Sequence, residues 1–139
     1  MKSIFVLLII LLTTLSGKAQ EDNKVNLPAP TDSVLTLAEV MPEYPGGMKE
    51  LYTFIATQIK FPESCLKDKA FTDCKVFVKF IVDLNGYPTA FEVIKGCAGY
   101  PECDEEALRV LKLMPRWEPG KMKGKPVNVY FNLPIRFKK

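Results

Sequence analysis

The sequence has no histidine, and that absence removes several chemistries at once. Serine–histidine and cysteine–histidine nucleophilic catalysis need an imidazole base, and imidazole-based metal sites need the same ring. Cys-x-x-Cys pairs are missing as well, and with them the spacing of dithiol redox centres and of common zinc sites. No strong charge bias replaces them. Lysine and arginine number 19 against 16 acidic residues, and loss of Lys2 and Lys18 with the first segment would leave 17 against 16, so net charge does not point to nucleic acid. The long apolar run, Ile4 to Leu15, is shorter than the roughly 20 residues that a bilayer-spanning helix needs. The expectation is a protein that is not an enzyme and takes no cofactor, metal or small-molecule substrate.

What is present begins with a basic head at Lys2, that apolar run, and the small residues Ser16-Gly17-Lys18-Ala19. Together they read as a secretory signal over residues 1–19, cleaved after Ala19; a retained anchor is the alternative. No cysteine follows the cleavage point, which leaves no lipid anchor there. Residues 20–33 are polar with Pro28 and Pro30 and read as a short flexible leader. Residues 34–139 are long enough for one domain with a core of its own. Its four cysteines, Cys65, Cys74, Cys97 and Cys103, are an even number behind a signal, so two disulfides in an oxidising compartment are expected. The preferred pairing is local, Cys65 with Cys74 and Cys97 with Cys103. A hairpin register that sets Cys74 opposite Cys97 would instead leave Cys65 for Cys103.

That hairpin is the clearest element. Val76, Val78, Phe80 and Val82 alternate with Lys75, Phe77, Lys79 and Ile81, the period of a strand. Asn85-Gly86 offers a two-residue turn and the chain returns through Thr89, Phe91 and Val93, pairing Val78 with Val93 and Phe80 with Phe91. Val34 to Val40 is a short edge strand or a segment lying along the domain. After the turn Met41–Gly47, the residues Met48, Leu51, Tyr52, Ile55 and Ile59 give one helical stripe, stopped by Pro62. A second helix opens with Asp104 as N-cap and buries Ala107, Leu108, Leu111 and Met114. Asp104-Glu105-Glu106 complements the dipole of its first turn. Trp117, before Pro119-Gly120, reads as a ring sealing the core. Lys121, Lys123, Gly124 and Lys125 form a solvated tip, and Val127, Val129, Phe131, Leu133, Ile135 and Phe137 alternate with polar residues as a third strand. Pro134 argues that this strand keeps one free flank.

Six segments together resemble the C-terminal domain of the TonB family: YPGGMKELYTFI at 44–55, FP at 61–62, VFVKFIVDLNG at 76–86, DEEALRVLKLMPRWEPG at 104–120, GKPV at 124–127 and LPIRF at 133–137. The resemblance implies an α+β fold with two helices packed on one face of a three-stranded antiparallel sheet. It also implies a periplasmic location in a Gram-negative cell, where the short first segment favours a soluble over an anchored protein, and a partner, the N-terminal segment of an outer-membrane transporter, that adds a strand to the sheet edge during energy-dependent transport. Carried onto this chain, the receiving residues are Val127, Asn128, Val129, Tyr130, Phe131, Asn132 and Arg136. The helix-start turn Tyr44, Pro45, Gly46 and Gly47 is a second candidate, because open amides there could take a carboxylate. The free flank also leaves a homodimer open. The alternative function is a freestanding, disulfide-stapled interaction module that keeps the fold without transducing energy.

Overall fold

A computed structural model describes residues 33–139; the signal at 1–19 and the leader, apart from Ser33, lie outside the described residues. The fold is α+β, with more elements than the sequence pattern suggests. Five strands form the sheet: β1 (Val34–Leu35), β2 (Asp73–Val82), β3 (Pro88–Lys95), β4 (Gly120–Met122) and β5 (Lys125–Lys138). Among the described residues three helices accompany them, α1 (Met48–Gln58), α2 (Glu63–Lys67) and α3 (Pro101–Leu111). The strand order is β1-β5-β2-β3, with β4 paired to β5. Three strands and two helices are therefore too few, and the sheet is not wholly antiparallel, since β1 runs parallel to β5.

The β2–β5 ladder is the frame, unbroken from Asp73↔Lys138 to Val82↔Val129. Val76, Val78, Phe80 and Val82 of β2 are fully buried, and Val129, Leu133, Ile135 and Phe137 of β5 lie on the same side. The β2–β3 hairpin turns differently from the expected two-residue loop. Asp83 N–H donates to Tyr87 O at 3.0 Å and Val82 pairs with Pro88, so the loop is the longer Leu84-Asn85-Gly86. An extra residue in the loop would throw the side chains of β3 onto the wrong face. A bulge at Ala90, with φ of 53°, absorbs it, and Val78 meets Val93 as expected. Phe80 is not in direct register with Phe91, yet their rings stack at 5.4 Å. Gly86 needs its positive φ of 87°, and a Cβ there would collide with the carbonyl of Trp117.

The helices cover the core face of the sheet. α3 packs over β2 and β3, and α1 packs against α3. On α1, Leu51 and Ile55 are buried and Phe54 half-buried, as is Ile59 at its C-cap, while Met48 and Tyr52 are exposed. The apolar stripe is thus narrower than its sequence suggests, because only one side of α1 faces the core. Tyr100, not Asp104, is the N-cap of α3; Pro101 suits the first turn, where the missing N–H costs nothing. Asp104 lies inside the helix and accepts the Cys97 N–H at 2.8 Å. The short α2 was not foreseen, because Cys65 is its one buried residue and it carries no apolar period.

Trp117 is 2 % exposed and closes one end of the core, with its ring 5.7 Å from Tyr44, 5.6 Å from Phe80 and 5.0 Å from Phe131. Its indole N–H has no acceptor among the described residues. The cysteines do not pair locally. Cys74 is bonded to Cys97, with Cα atoms 5.8 Å apart, and Cys65 and Cys103 are buried thiols. The hairpin explains this outcome: β2 and β3 run antiparallel, so the start of one and the end of the other come together.

Candidate partner-binding edge

A strand can accept another chain only along a flank with unpaired backbone groups. β5 is bound to β2 on one flank over Val129 to Lys138. Elsewhere it meets β4 at Lys125–Val127 and β1 at Asn128 and Val129. From Tyr130 to Lys138 no second strand is paired with it among the described residues. In an antiparallel ladder only alternate residues turn their N–H and C=O toward the partner, and the others turn theirs away. One alternate set on this stretch therefore faces outward. A proline in that set removes no bond from the β2 ladder, which accounts for Pro134 opposite Phe77 in an otherwise regular register.

The other border of the sheet is β3, and it is a poorer template. Its register against β2 shifts twice, between Lys79 and Ile81 and again between Phe77 and Val78; bulges of this kind twist an edge away from further pairing. β5 has no such break where it pairs with β2.

Beside the open flank of β5 runs a groove of about 330 Å³ lined by Tyr52, Ile55 and Ala56 of α1, by Ile59 and Phe61 just after it, and by Pro134 to Lys138 of β5. Its floor is apolar and half-open, with Tyr52 48 % exposed. A peptide laid along β5 would project alternate side chains into it. The sequence reading assigned Tyr52 and Ile59 to the core and gave Phe61 no role. The five-membered apolar stripe on α1 was the available signal, being wider than one packed face requires.

The seven candidate residues on β5 fall into two groups. Val127, Asn128 and Val129 already meet β4 and β1, and the Asn128 side chain accepts the Leu84 N–H at 2.9 Å, fixing the hairpin loop. Tyr130, Phe131, Asn132 and Arg136 belong to the open stretch. Lys79 Nζ lies 5.0 Å above the Tyr130 ring, and Arg136 forks onto Asp73 of β2 with Nε–O distances of 3.0 and 3.1 Å. The hydrogen bond from Arg136 holds the Asp73 carboxyl below the usual carboxylate range. Both side chains are thus fixed against β2, on the sheet face opposite the helices, and leave the backbone as the available recognition element.

The helix-start turn is a different place. Tyr44 is buried against Trp117 and Phe54, and its phenol is pushed up by burial and then by Glu50. Gly47 N–H donates to Tyr44 O at 2.7 Å, and Leu51 N–H to Gly47 O at 3.1 Å. A Cβ at Gly46 would strike the Glu50 side chain and one at Gly47 would lie 3.5 Å from a Glu43 carboxylate oxygen. Acidic groups border this turn, which makes it a poor anion receptor and a good packing corner. Pro45 and Gly46 are exposed.

A second cleft, about 680 Å³, lies between Lys60–Ser64 and the α3 residues Glu102, Glu105, Glu106 and Arg109. Arg109 and the Lys60 N–H both bond Glu106 and hold its carboxyl low. No helix among the described residues is long and apolar enough to cross a membrane.

Compared with known families, residues 57–138 match the model described as the Gram-negative bacterial TonB protein C-terminal, more than half of the chain. Comparisons with curated proteins and with solved structures gave no match.

Proposed function

Because the chain belongs to the TonB C-terminal family, a periplasmic family of protein-interaction domains, we propose that residues 34–139 receive the N-terminal segment of an outer-membrane transporter as an added strand on β5. The observation that carries this reading is the open flank from Tyr130 to Lys138 beside the groove of α1. Backbone pairing supplies the affinity, and the pocket under Tyr52, Ile59 and Phe61 selects apolar residues at alternate peptide positions. The contact moves toward the C-terminal half of β5 relative to the sequence expectation, because β1 and β4 already meet Val127 to Val129. Residues 1–19 direct export and 20–33 form the leader in this reading; strand addition needs neither cleavage nor retention of the first segment, which decide only whether force is transmitted.

N-terminal peptides from the same cell's outer-membrane transporters, titrated against the full chain and followed by amide exchange, test it. Protection gained along 130–138 supports strand addition. Protection confined to Tyr44–Gly47, or none at saturating peptide, rejects it.

The disulfide between Cys74 and Cys97 favours a second reading, a freestanding stapled module that binds without transmitting force. N-terminal sequencing of the protein recovered from cells separates the two. A start at Gln20 or Glu21 supports the freestanding module, and retention of residues 1–15 supports transduction.

A further inference from the structure

All four cysteines converge at the end of the core where α2, α3 and the open end of the β2–β3 hairpin meet. Cys65 Sγ and Cys103 Sγ are 3.1 Å apart, and both residues are fully buried. Cys103 Sγ in turn lies within 4.8 Å of the sulfurs of Cys74 and Cys97. We infer that Cys65 and Cys103 are a second cross-linking site, joining α2 to α3 as a disulfide packed against Cys74–Cys97.

Three observations carry this. The sulfurs need to approach by only about 1 Å to reach the roughly 2.05 Å of a disulfide, a movement within the freedom of two side-chain torsions. Cys65 is the sole buried residue of the five-residue α2, so apolar packing alone anchors that helix weakly and a covalent tie supplies what its sequence lacks. The remaining cysteines are already bonded to each other, so this pairing forms without breaking that bond.

The oxidation balances against an external disulfide, either a small one such as oxidised glutathione or a dithiol oxidase of the oxidising compartment. One cysteine, as thiolate, attacks the external disulfide and releases one thiol; the second attacks the resulting mixed disulfide at the protein sulfur and releases the other. Two protons and two electrons leave the pair, and the external disulfide becomes two thiols. Because both sulfurs are buried in the closed fold, the step belongs to folding, before α2 settles on α3.

The test uses the full chain refolded with oxidised glutathione, denatured in iodoacetamide without reductant and digested with trypsin and Glu-C. Glu-C is needed because cleavage after Glu102 separates Cys97 from Cys103. The expected result is an intact mass four hydrogens below the reduced chain, no alkylated cysteine, and linked peptides Cys65–Cys103 and Cys74–Cys97. A Cys74→Ala/Cys97→Ala variant keeps the proposal testable if the first bond dominates folding, and it should still yield Cys65 linked to Cys103. Alkylation of both Cys65 and Cys103, a link from either to Cys74 or Cys97, or one zinc ion bound per chain with four free thiols overturns the assignment.

Discussion

Trp117 shows how far a single residue can be read. Its position between a helix stop and a Pro-Gly turn pointed to a ring sealing the core, and three aromatic neighbours surround it. Trp117→Ala should cost roughly 3 to 5 kcal/mol in denaturant unfolding, as truncation of a buried large ring does. Peptide binding to the folded variant should survive, because the ring does not line the groove. Tyr100 was illegible, since its partner lies far away in sequence. Its hydroxyl donates to Asp68 Oδ2 at 2.5 Å; that bond pushes the phenol up to about 12 and holds Asp68 below the usual carboxylate range. For the raised tyrosine, stability is fully present below its unfolded value of about 10 and is lost as pH rises through the folded one. For the depressed aspartate it is present above roughly 4 and lost as pH falls further. Tyr100→Phe should therefore be less stable than the parent at neutral pH, with the gap closing at both extremes. Unfolding curves at acid, neutral and alkaline pH check this, and a gap constant across pH would detach the effect from the hydrogen bond.

At the scale of elements, the strands were legible because β2 and β5 alternate cleanly over their whole lengths. The loop length was not, because Asn85-Gly86 suits a two-residue turn and the correction sits downstream at Ala90. Nor was β1, a two-residue parallel strand whose pairing with Asn128 and Val129 leaves no periodic trace. Likewise α2 rests on one buried cysteine. The candidate site suffered most, since a groove between α1 and β5 is a property of packing and not of either segment alone. Two predictions belong here. Deleting residues through Leu37 removes β1 from the flank of β5, so amide protection by a bound peptide should extend back to Asn128, which shares the outward parity of Asn132; protection still starting at Tyr130 would mean that β1 does not limit the edge. Asn132 has the same parity as Pro134, so its backbone groups point the same way along β5. Asn132→Pro should weaken peptide binding far more than Tyr130→Ala or Arg136→Ala. Circular dichroism must first show the proline variant folded, and equal losses for all three would shift the recognition from backbone to side chains.

Across the whole molecule, the cross-linked end and the open edge are coupled through β2. Cys74 lies at the start of β2 and pairs with Phe137 of β5, while its disulfide ties that same point to the end of β3. Phe137 also lines the groove and meets Phe61 at 6.1 Å. Breaking Cys74–Cys97 therefore loosens the far end of the groove first. A sequence separation of 23 between the bonded cysteines corresponds to a loss of about 3 kcal/mol when this bond is absent. The core from Val76 to Val82 against Val129 to Ile135 needs no sulfur, so the domain without this bond should still unfold cooperatively at a lower temperature. Amide exchange should then accelerate at Arg136 to Lys138 and at Asp73 to Lys75, while Phe131 to Leu133 stays protected. Peptide affinity should fall by about tenfold or less, near 1.4 kcal/mol, because only the last part of the receiving strand frays. A Cys74→Ala/Cys97→Ala chain, measured by calorimetry, exchange and peptide titration together, reads out this bond alone, whereas reductant would also open a Cys65–Cys103 link. Complete loss of binding in a folded variant would place the recognition at the cysteine end itself, whereas unchanged exchange at Arg136 to Lys138 would show that the disulfide and the edge act independently.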